Sequence, residues 1–83
     1  MRHKQVFDYD GLREAAAFAV ENSGKKQQEV ADALGVQKGS ISRALNYSGS
    51  RYAKLQISIL EYLNPKYTIV ESTAFQVFRK DRI

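Results

Sequence analysis

Residues 27–46 read QQEVADALGVQKGSISRALN, and the spacing of the apolar residues in this stretch decides the fold. In a helix formed by the first part of this stretch, Val30, Ala31 and Leu34 would lie on the same side and form one apolar face. The small side chain of Ala31 lets a second helix cross closely there. Gly35 follows, and glycine most readily takes the left-handed conformation that ends a helix. The pattern therefore predicts a short helix that ends at Leu34.

A second short helix is predicted after the turn, over residues 38–46. At about 100° per residue, Ile41, Ala44 and Leu45 cluster on one side of it and form its buried stripe. Val36, in the turn, is expected to fill the core between the two helices. The outward side then carries Gly39, Ser42, Arg43 and Asn46, with Lys38 at its flank.

The residue types on this outward side suit the major groove of DNA. Arg and Lys can fork onto guanine, Asn and Ser can bond base edges, and Gly lets the backbone approach closely. A helix face that is merely solvated more usually mixes Glu with Lys, whereas this face has no acidic residue. The pattern is typical of a helix that reads DNA sequence.

The whole stretch resembles the helix-turn-helix of the Cro and phage-repressor family, whose second helix enters the major groove. The flanking helices extend the resemblance to residue 63. It implies a lambda-repressor-like domain of four helices that binds double-stranded DNA. The residues that carry the resemblance are Gln27, Ala31, Gly35, Val36, Ile41, Ala44 and Leu45.

The resemblance also implies roles for single positions. Lys25 and Lys26 depart from the family, because many relatives place an apolar residue and Thr or Ser there. This departure removes a hydroxyl cap and adds two charges that attract phosphate. Base edges would face Lys38, Gly39, Ser42 and Arg43. The DNA backbone would lie beside Lys25, Lys26, Gln27, Gln37, Ser40 and Asn46.

A helix over residues 11–23 is predicted to precede this unit as scaffold. Asp10 is a good residue to cap its start, and Gly24 is expected to stop it. Its core stripe would be Leu12, Ala16, Ala19 and Val20.

A fourth helix is predicted over residues 51–63, with Ser50 as its cap. Arg51 and Lys54 would lie in its first turn, where cations oppose the helix dipole. Such a placement indicates another use, and contact with the DNA backbone is the obvious one. The alternative is that both cations are simply solvated.

The residues after Pro65 change character, because β-branched and aromatic side chains become frequent. Residues 67–71 and 75–79 are predicted to form a hairpin. The chain is therefore predicted to be mainly α with a small C-terminal β-hairpin, as one helix-turn-helix domain over residues 1–83.

An isolated hairpin is marginal in water, so this one must pack on the helices or pair with a second copy. The family resemblance implies that C-terminal strands join two subunits. We therefore expect a homodimer, with an intramolecular hairpin on a monomer as the alternative. The expected interface residues are Tyr67, Ile69, Phe75 and Val77.

The net charge is +4, and its distribution along the chain supports an anionic partner. Residues 25–54 carry six cations and two acids, whereas residues 1–24 sum to −1 and residues 55–83 to +1. The whole excess falls on the predicted reading unit, as an anion-binding surface requires. The alternative is that the clustering is chance in a small basic domain.

The composition excludes several classes of protein. There is no cysteine and one histidine, His3, so we expect neither a disulfide nor a metal site, and no cofactor or small-molecule substrate. No apolar run is long enough for a membrane helix or a signal segment. We expect a soluble, cytoplasmic protein that is not an enzyme.

The sequence thus predicts a sequence-specific DNA-binding transcription regulator, of the Cro-like repressor kind found in phages or mobile elements, that binds a palindromic operator as a dimer. Repression and activation are not distinguished, because the outcome depends on where the operator lies. The alternative is a protein-interaction, antitoxin or RNA-binding module that uses the helix-turn-helix as a scaffold.

Overall fold

The computed structural model describes residues 5–71 and 74–80. Within these residues the chain is mainly helical and carries a small antiparallel sheet, as predicted. Its elements in chain order are β1 (Gln5–Phe7), α1 (Tyr9–Ser23), α2 (Gln27–Leu34), α3 (Lys38–Asn46), α4 (Ser50–Leu63), β2 (Tyr67–Glu71) and β3 (Phe75–Arg79).

Helix α1 begins two residues earlier than predicted, because Asp8 and not Asp10 caps it. Asp8 has an extended backbone, and its Oδ1 accepts a hydrogen bond of 2.7 Å from the backbone N–H of Gly11. Asp10 lies in the first turn of the helix, where an acid is also favourable. Gly24 ends α1 with φ 77°, as expected.

Helix α4 also begins earlier than predicted, at Ser50, so Ser50 is not its cap. Gly49 occupies the cap position with φ 117°, and no side chain caps the helix start. The Gly49 carbonyl accepts a hydrogen bond of 3.0 Å from the backbone N–H of Tyr52. Gly49 turns the chain from α3 into α4. A serine would adopt its positive φ only with strain.

The core lies where the four helices meet and is closed on one side by the sheet. Leu12, Val30 and Ile41 are fully buried within it. Gln56 of α4 is the one buried polar side chain among the described residues. The remaining core residues are Ala16, Val20, Ala31, Ala44, Leu45, Ala53, Ile59, Leu60 and Phe75.

The sheet has three strands in the order β1-β3-β2, all antiparallel within the described residues. Strand β1 was not predicted, since three residues are too few to show the alternation of a strand. It pairs with the first part of β3 and places Phe7 opposite Phe75. The hairpin therefore folds back on its own chain and continues the sheet to the N-terminal segment.

This arrangement corrects the predicted dimer interface. Phe75 is only 3% exposed, and Ile69 packs against the helical core, so both serve the chain's own interior. Tyr67 remains exposed and Val77 half-buried. The hairpin sequence does not show which side chains face the core, because both faces of the strands carry apolar residues.

The outer edge of β2 is already engaged within the chain. The backbone N–H of Ile69 donates to Oε2 of Glu61 at 2.9 Å, and the backbone N–H of Tyr67 donates to the carbonyl of Asn64 at 3.0 Å. The Glu61 carboxylate also bonds the hydroxyl of Thr68 at 3.0 Å. Pairing of this edge with a second chain would therefore displace existing hydrogen bonds.

None of the helices in the described residues combines the length and the apolar character needed to cross a membrane.

Candidate nucleic-acid interface

The turn between α2 and α3 fixes the angle at which α3 leaves the core. Gly35 takes the left-handed conformation with φ 71°, as the sequence predicts. The backbone N–H of Val36 donates to the carbonyl of Ala31 at 3.0 Å, and that of Gly35 to the carbonyl of Asp32 at 3.3 Å. Val36 also packs against the core. Both ends of the turn are thus held.

Helix α3 is amphipathic in the predicted sense. Ile41, Ala44 and Leu45 are buried in the core. The opposite side is open to solvent, with Lys38, Gly39, Arg43 and Asn46 exposed and Ser42 half-buried.

The charged residues along the sequence of α3, and of α4 up to Leu60, are of one sign. No Asp or Glu occurs between Asp32 and Glu61, a stretch that includes all of α3 and α4 up to Leu60. Lys38, Arg43, Arg51 and Lys54 lie in the same stretch and are all exposed. Cations without neighbouring acids in the sequence give this part of the surface an attraction for polyanions.

Arg43 lies back along α3 toward its N-terminal end. Its Nη2 donates to Oγ of Ser40 at 3.4 Å, and its Nη1 would lie 3.5 Å from a Cβ added at Gly39. A hydrogen bond of this length between exposed groups is weak and readily exchanged. The guanidinium therefore rests beside the bare backbone of Gly39 and can be redirected at little cost.

Two of the predicted DNA-contacting amides differ in how they are used. Asn46 donates from Nδ2 to the carbonyl of Ser42 at 2.7 Å, so part of its hydrogen-bonding capacity is spent on its own helix. Gln37 is exposed at the cap position of α3 and makes no side-chain hydrogen bond to the helix start. Gln37 can therefore reach a partner without breaking a cap.

The start of α2 differs in part from the prediction. Lys25 places its Nζ 5.9 Å from the centre of the Tyr62 ring on α4, which draws its charge toward that ring. Lys26 is exposed, and its backbone N–H donates to Oε1 of Glu29 at 2.7 Å. Glu29 thus satisfies the backbone N–H of the cap residue, while no side chain at Lys26 replaces the missing hydroxyl. Gln27 is half-buried at the first position of the helix.

Arg51 and Lys54 are exposed in the first turns of α4, and Arg51 is next to an aromatic pair that the sequence did not indicate. The rings of Tyr47 and Tyr52 stack with centres 5.8 Å apart and an interplanar angle of 27°. The guanidinium carbon of Arg51 lies 5.9 Å from the centre of the Tyr52 ring. We call Tyr47, Arg51 and Tyr52 the tyrosine patch.

The C-terminal end of α3 is held by side chains from two other helices, which the sequence analysis missed. Gln56 of α4 donates from Nε2 to the carbonyls of Ala44 and Tyr47, at 2.7 and 2.9 Å. Arg13 of α1 donates from Nη1 to the carbonyl of Leu45 at 3.1 Å. These carbonyls have no partner within α3, so the two side chains satisfy them and fix the helix in place.

One signal of this role was present in the sequence. Gln56 falls three residues after Ala53 and four before Leu60, so it shares their buried face on α4. A polar residue at such a position must find hydrogen-bond partners in the interior.

The described residues contain no group of three or more His, Asp or Glu side chains that could hold a metal ion. Comparison with known proteins found no matching family model, no matching curated protein and no matching solved structure.

Proposed function

We propose that this chain is a sequence-specific regulator of transcription that binds double-stranded DNA and places α3 in the major groove. One observation carries the proposal. The apolar side of α3 is buried in the core, while Lys38, Gly39 and Arg43 stand in solvent with no acidic residue between Asp32 and Glu61. A surface helix that is merely solvated more usually mixes Glu with Lys.

The dimensions and the residue types suit this role. A helix with its side chains is about 10–12 Å across, and the major groove is about 12 Å wide. Arg43 is the side chain that we assign to a guanine edge, because its guanidinium can bond two acceptors there at once. Gly39 lets the backbone approach, and Lys38 and Ser42 complete the base-contacting set.

Phosphate contacts surround this reading face. On one side of the groove, the DNA backbone would meet Lys26, Gln27 and Gln37. On the other side it would meet Arg51 and Lys54. Each phosphate that a cation neutralises releases counterions, so binding would weaken steeply with salt. Lys25 would take part after leaving the ring of Tyr62.

The regulator would act as a dimer on a palindromic operator, with two α3 helices about 34 Å apart. Since the edge of β2 is engaged and Phe75 is buried, we place the dimer contact on the outer face of the sheet. Val6 and Val70 are exposed there on either side of Gln76, which pairs with both. Occupancy of the operator would obstruct polymerase, as for repressors of phage or mobile-element type.

Replacing Arg43 with alanine tests the assignment of the reading face. We expect Arg43→Ala to weaken binding to the operator by about 1–3 kcal/mol, because a base contact is lost. Binding to random duplex should weaken much less. Fluorescence anisotropy with both duplexes at the same salt concentration measures the two losses.

The matched control is Lys66→Ala, which removes one exposed cation beyond the end of α4 that we assign to no DNA contact. It should leave the specificity ratio unchanged. Equal losses on operator and random DNA for Arg43→Ala would reduce Arg43 to a phosphate contact. A preference for single-stranded RNA over duplex DNA would favour the RNA-binding alternative.

Replacing Val70 with lysine tests the dimer. Because two lysines would face each other or be desolvated in the contact, Val70→Lys should raise the dimer dissociation constant about tenfold or more. Sedimentation equilibrium measures this constant. Phe18→Lys, at an exposed apolar residue on α1, is the control and should leave it unchanged. An unchanged constant for Val70→Lys would move the contact away from this face.

A further inference from the structure

Tyr47 combines high exposure with a fixed position. The residue is 56% exposed, yet its backbone is held on both sides. The N–H of Tyr47 donates to the carbonyl of Arg43 at 2.9 Å, and its carbonyl accepts from Nε2 of the buried Gln56 at 2.9 Å. Its ring stacks on Tyr52. An aromatic side chain that is rigid and solvent-exposed loses little entropy when it binds a partner.

The position of Tyr47 prolongs the outward side of α3. Gly39, Arg43 and Tyr47 are spaced by four residues, and a spacing of four keeps side chains on one side of a helix. Tyr47 is the cap residue of α3, so it lies where this row reaches the end of the helix. The tyrosine patch is therefore continuous with the proposed reading face.

The charges around Tyr47 favour an anionic partner. The guanidinium carbon of Arg51 lies 5.9 Å from the centre of the Tyr52 ring, and Lys54 is exposed one turn later on α4. Acidic residues are absent from this part of the sequence. Packing alone does not explain the patch, because Tyr47 is left 56% exposed.

We propose that the tyrosine patch is a binding site for the sugar-phosphate backbone of duplex DNA, just beyond the C-terminal end of α3. The Tyr47 hydroxyl donates a hydrogen bond to a phosphate oxygen, and Arg51 supplies the positive charge. Tyrosine hydroxyls are established donors to DNA phosphates, and such contacts fix the register of a protein on the duplex. This inference rests on the proposed function and adds a site to it.

A role in register has a physical consequence. With phosphate contacts at the start of α2 and at the tyrosine patch, α3 would be held at both of its ends while its side chains meet the bases. Contact at one end only would leave the helix able to tilt in the groove. The patch would thus improve binding to every duplex sequence, because it carries no sequence information itself.

The test compares Tyr47→Phe with the wild-type chain on operator and random duplex at low salt. Phenylalanine keeps the stacked ring and removes only the hydroxyl, so the melting temperature should not change. We expect binding to weaken about three- to tenfold on both duplexes. Tyr9→Phe, which removes a tyrosine hydroxyl from the exposed start of α1, is the control and should bind as the wild type does.

A second measurement identifies the phosphate. Methylphosphonate is uncharged and replaces one phosphate at a time. We expect the wild-type chain to lose affinity at one flanking position per half-site, and Tyr47→Phe to lose less there, because only the contact of Arg51 remains. If Tyr47→Phe binds both duplexes like the wild type and shows the same methylphosphonate profile, the inference is wrong.

The outcomes separate this inference from the proposed function. If Arg43→Ala loses operator binding while Tyr47→Phe does not, the proposed function of α3 is supported and the phosphate-binding role of the tyrosine patch is wrong. If the wild-type chain binds no duplex DNA, both fall together. If Tyr47→Phe changes sedimentation but not DNA binding per subunit, the patch is a contact between protein chains. That result would overturn the inference of a phosphate-binding site.

Discussion

Replacing Gln56 with glutamate is expected to cost about 3–5 kcal/mol of folding free energy, the range for a buried charge left without a partner. The two side chains have the same shape, so packing changes little. An ionised carboxylate, however, has no hydrogen to donate to the carbonyls of Ala44 and Tyr47, which lie 2.7 and 2.9 Å from Nε2. The negative charge would instead face two carbonyl oxygens inside a fully buried site.

Equilibrium unfolding in denaturant measures this loss as a lower midpoint. Gln56→Leu separates the charge from the lost hydrogen bonds, since it leaves the two carbonyls unsatisfied but buries no charge, and should cost about 1–3 kcal/mol. The surface control is Gln28→Glu on α2, where the change places an acid near Asp32 and should cost only about 0.2–0.5 kcal/mol. A stable Gln56→Glu chain would mean that Gln56 does not hold α3.

Replacing Ala31 with leucine is expected to destabilise the chain by about 1–3 kcal/mol through overpacking. Ala31 is fully buried, and its carbonyl accepts the hydrogen bond from Val36 that sets the turn into α3. A larger side chain must push α2 and α3 apart or leave its preferred rotamer. Either response moves the proposed reading face relative to the rest of the domain.

The control for this change lies two residues further along the same helix. Ala33 is exposed, and leucine and alanine have similar helix propensities, so Ala33→Leu should leave the unfolding midpoint nearly unchanged. Thermal and denaturant unfolding of both variants give the comparison. An unaltered midpoint for Ala31→Leu would mean that α2 and α3 do not cross at this residue.

Residues 27–46 could be predicted closely because local signals agree there. Helices α2 and α3 have the predicted bounds, since Gly35 ends one helix and the apolar spacing of Ile41, Ala44 and Leu45 orients the next. Both are properties of residues within a few positions of each other. The outward side of α3 followed from the same spacing.

What could not be predicted depends on contacts between residues distant in sequence. Arg13 meets the carbonyl of Leu45, 32 residues away, and Gln56 meets that of Ala44, 12 residues away. No local sequence pattern predicts which backbone carbonyl will accept a hydrogen bond from a distant polar side chain. The same holds for Lys25. The sequence predicted that its charge is available for phosphate, whereas the structure places it near the ring of Tyr62.

The sheet shows a second limit of the sequence. Its strands β2 and β3 have the predicted bounds, but their inner face was not identified, because Ile69 and Val70 are adjacent and equally apolar. Only the burial of Phe75 and the packing of Ile69 against the core show which side of the sheet faces the helices. Phe75 was therefore assigned to a second chain although it completes the core of its own.

The most direct test of the central claim, that α3 reads bases with its solvent-exposed side, is selection of bound sequences from a random pool of duplex DNA. We expect the wild-type chain to enrich a palindromic site with half-sites about one helical turn apart, and Arg43→Ala to lose the preference at one guanine of each half-site only. Absence of any enriched sequence, or an Arg43→Ala chain with an unaltered base preference, would contradict it.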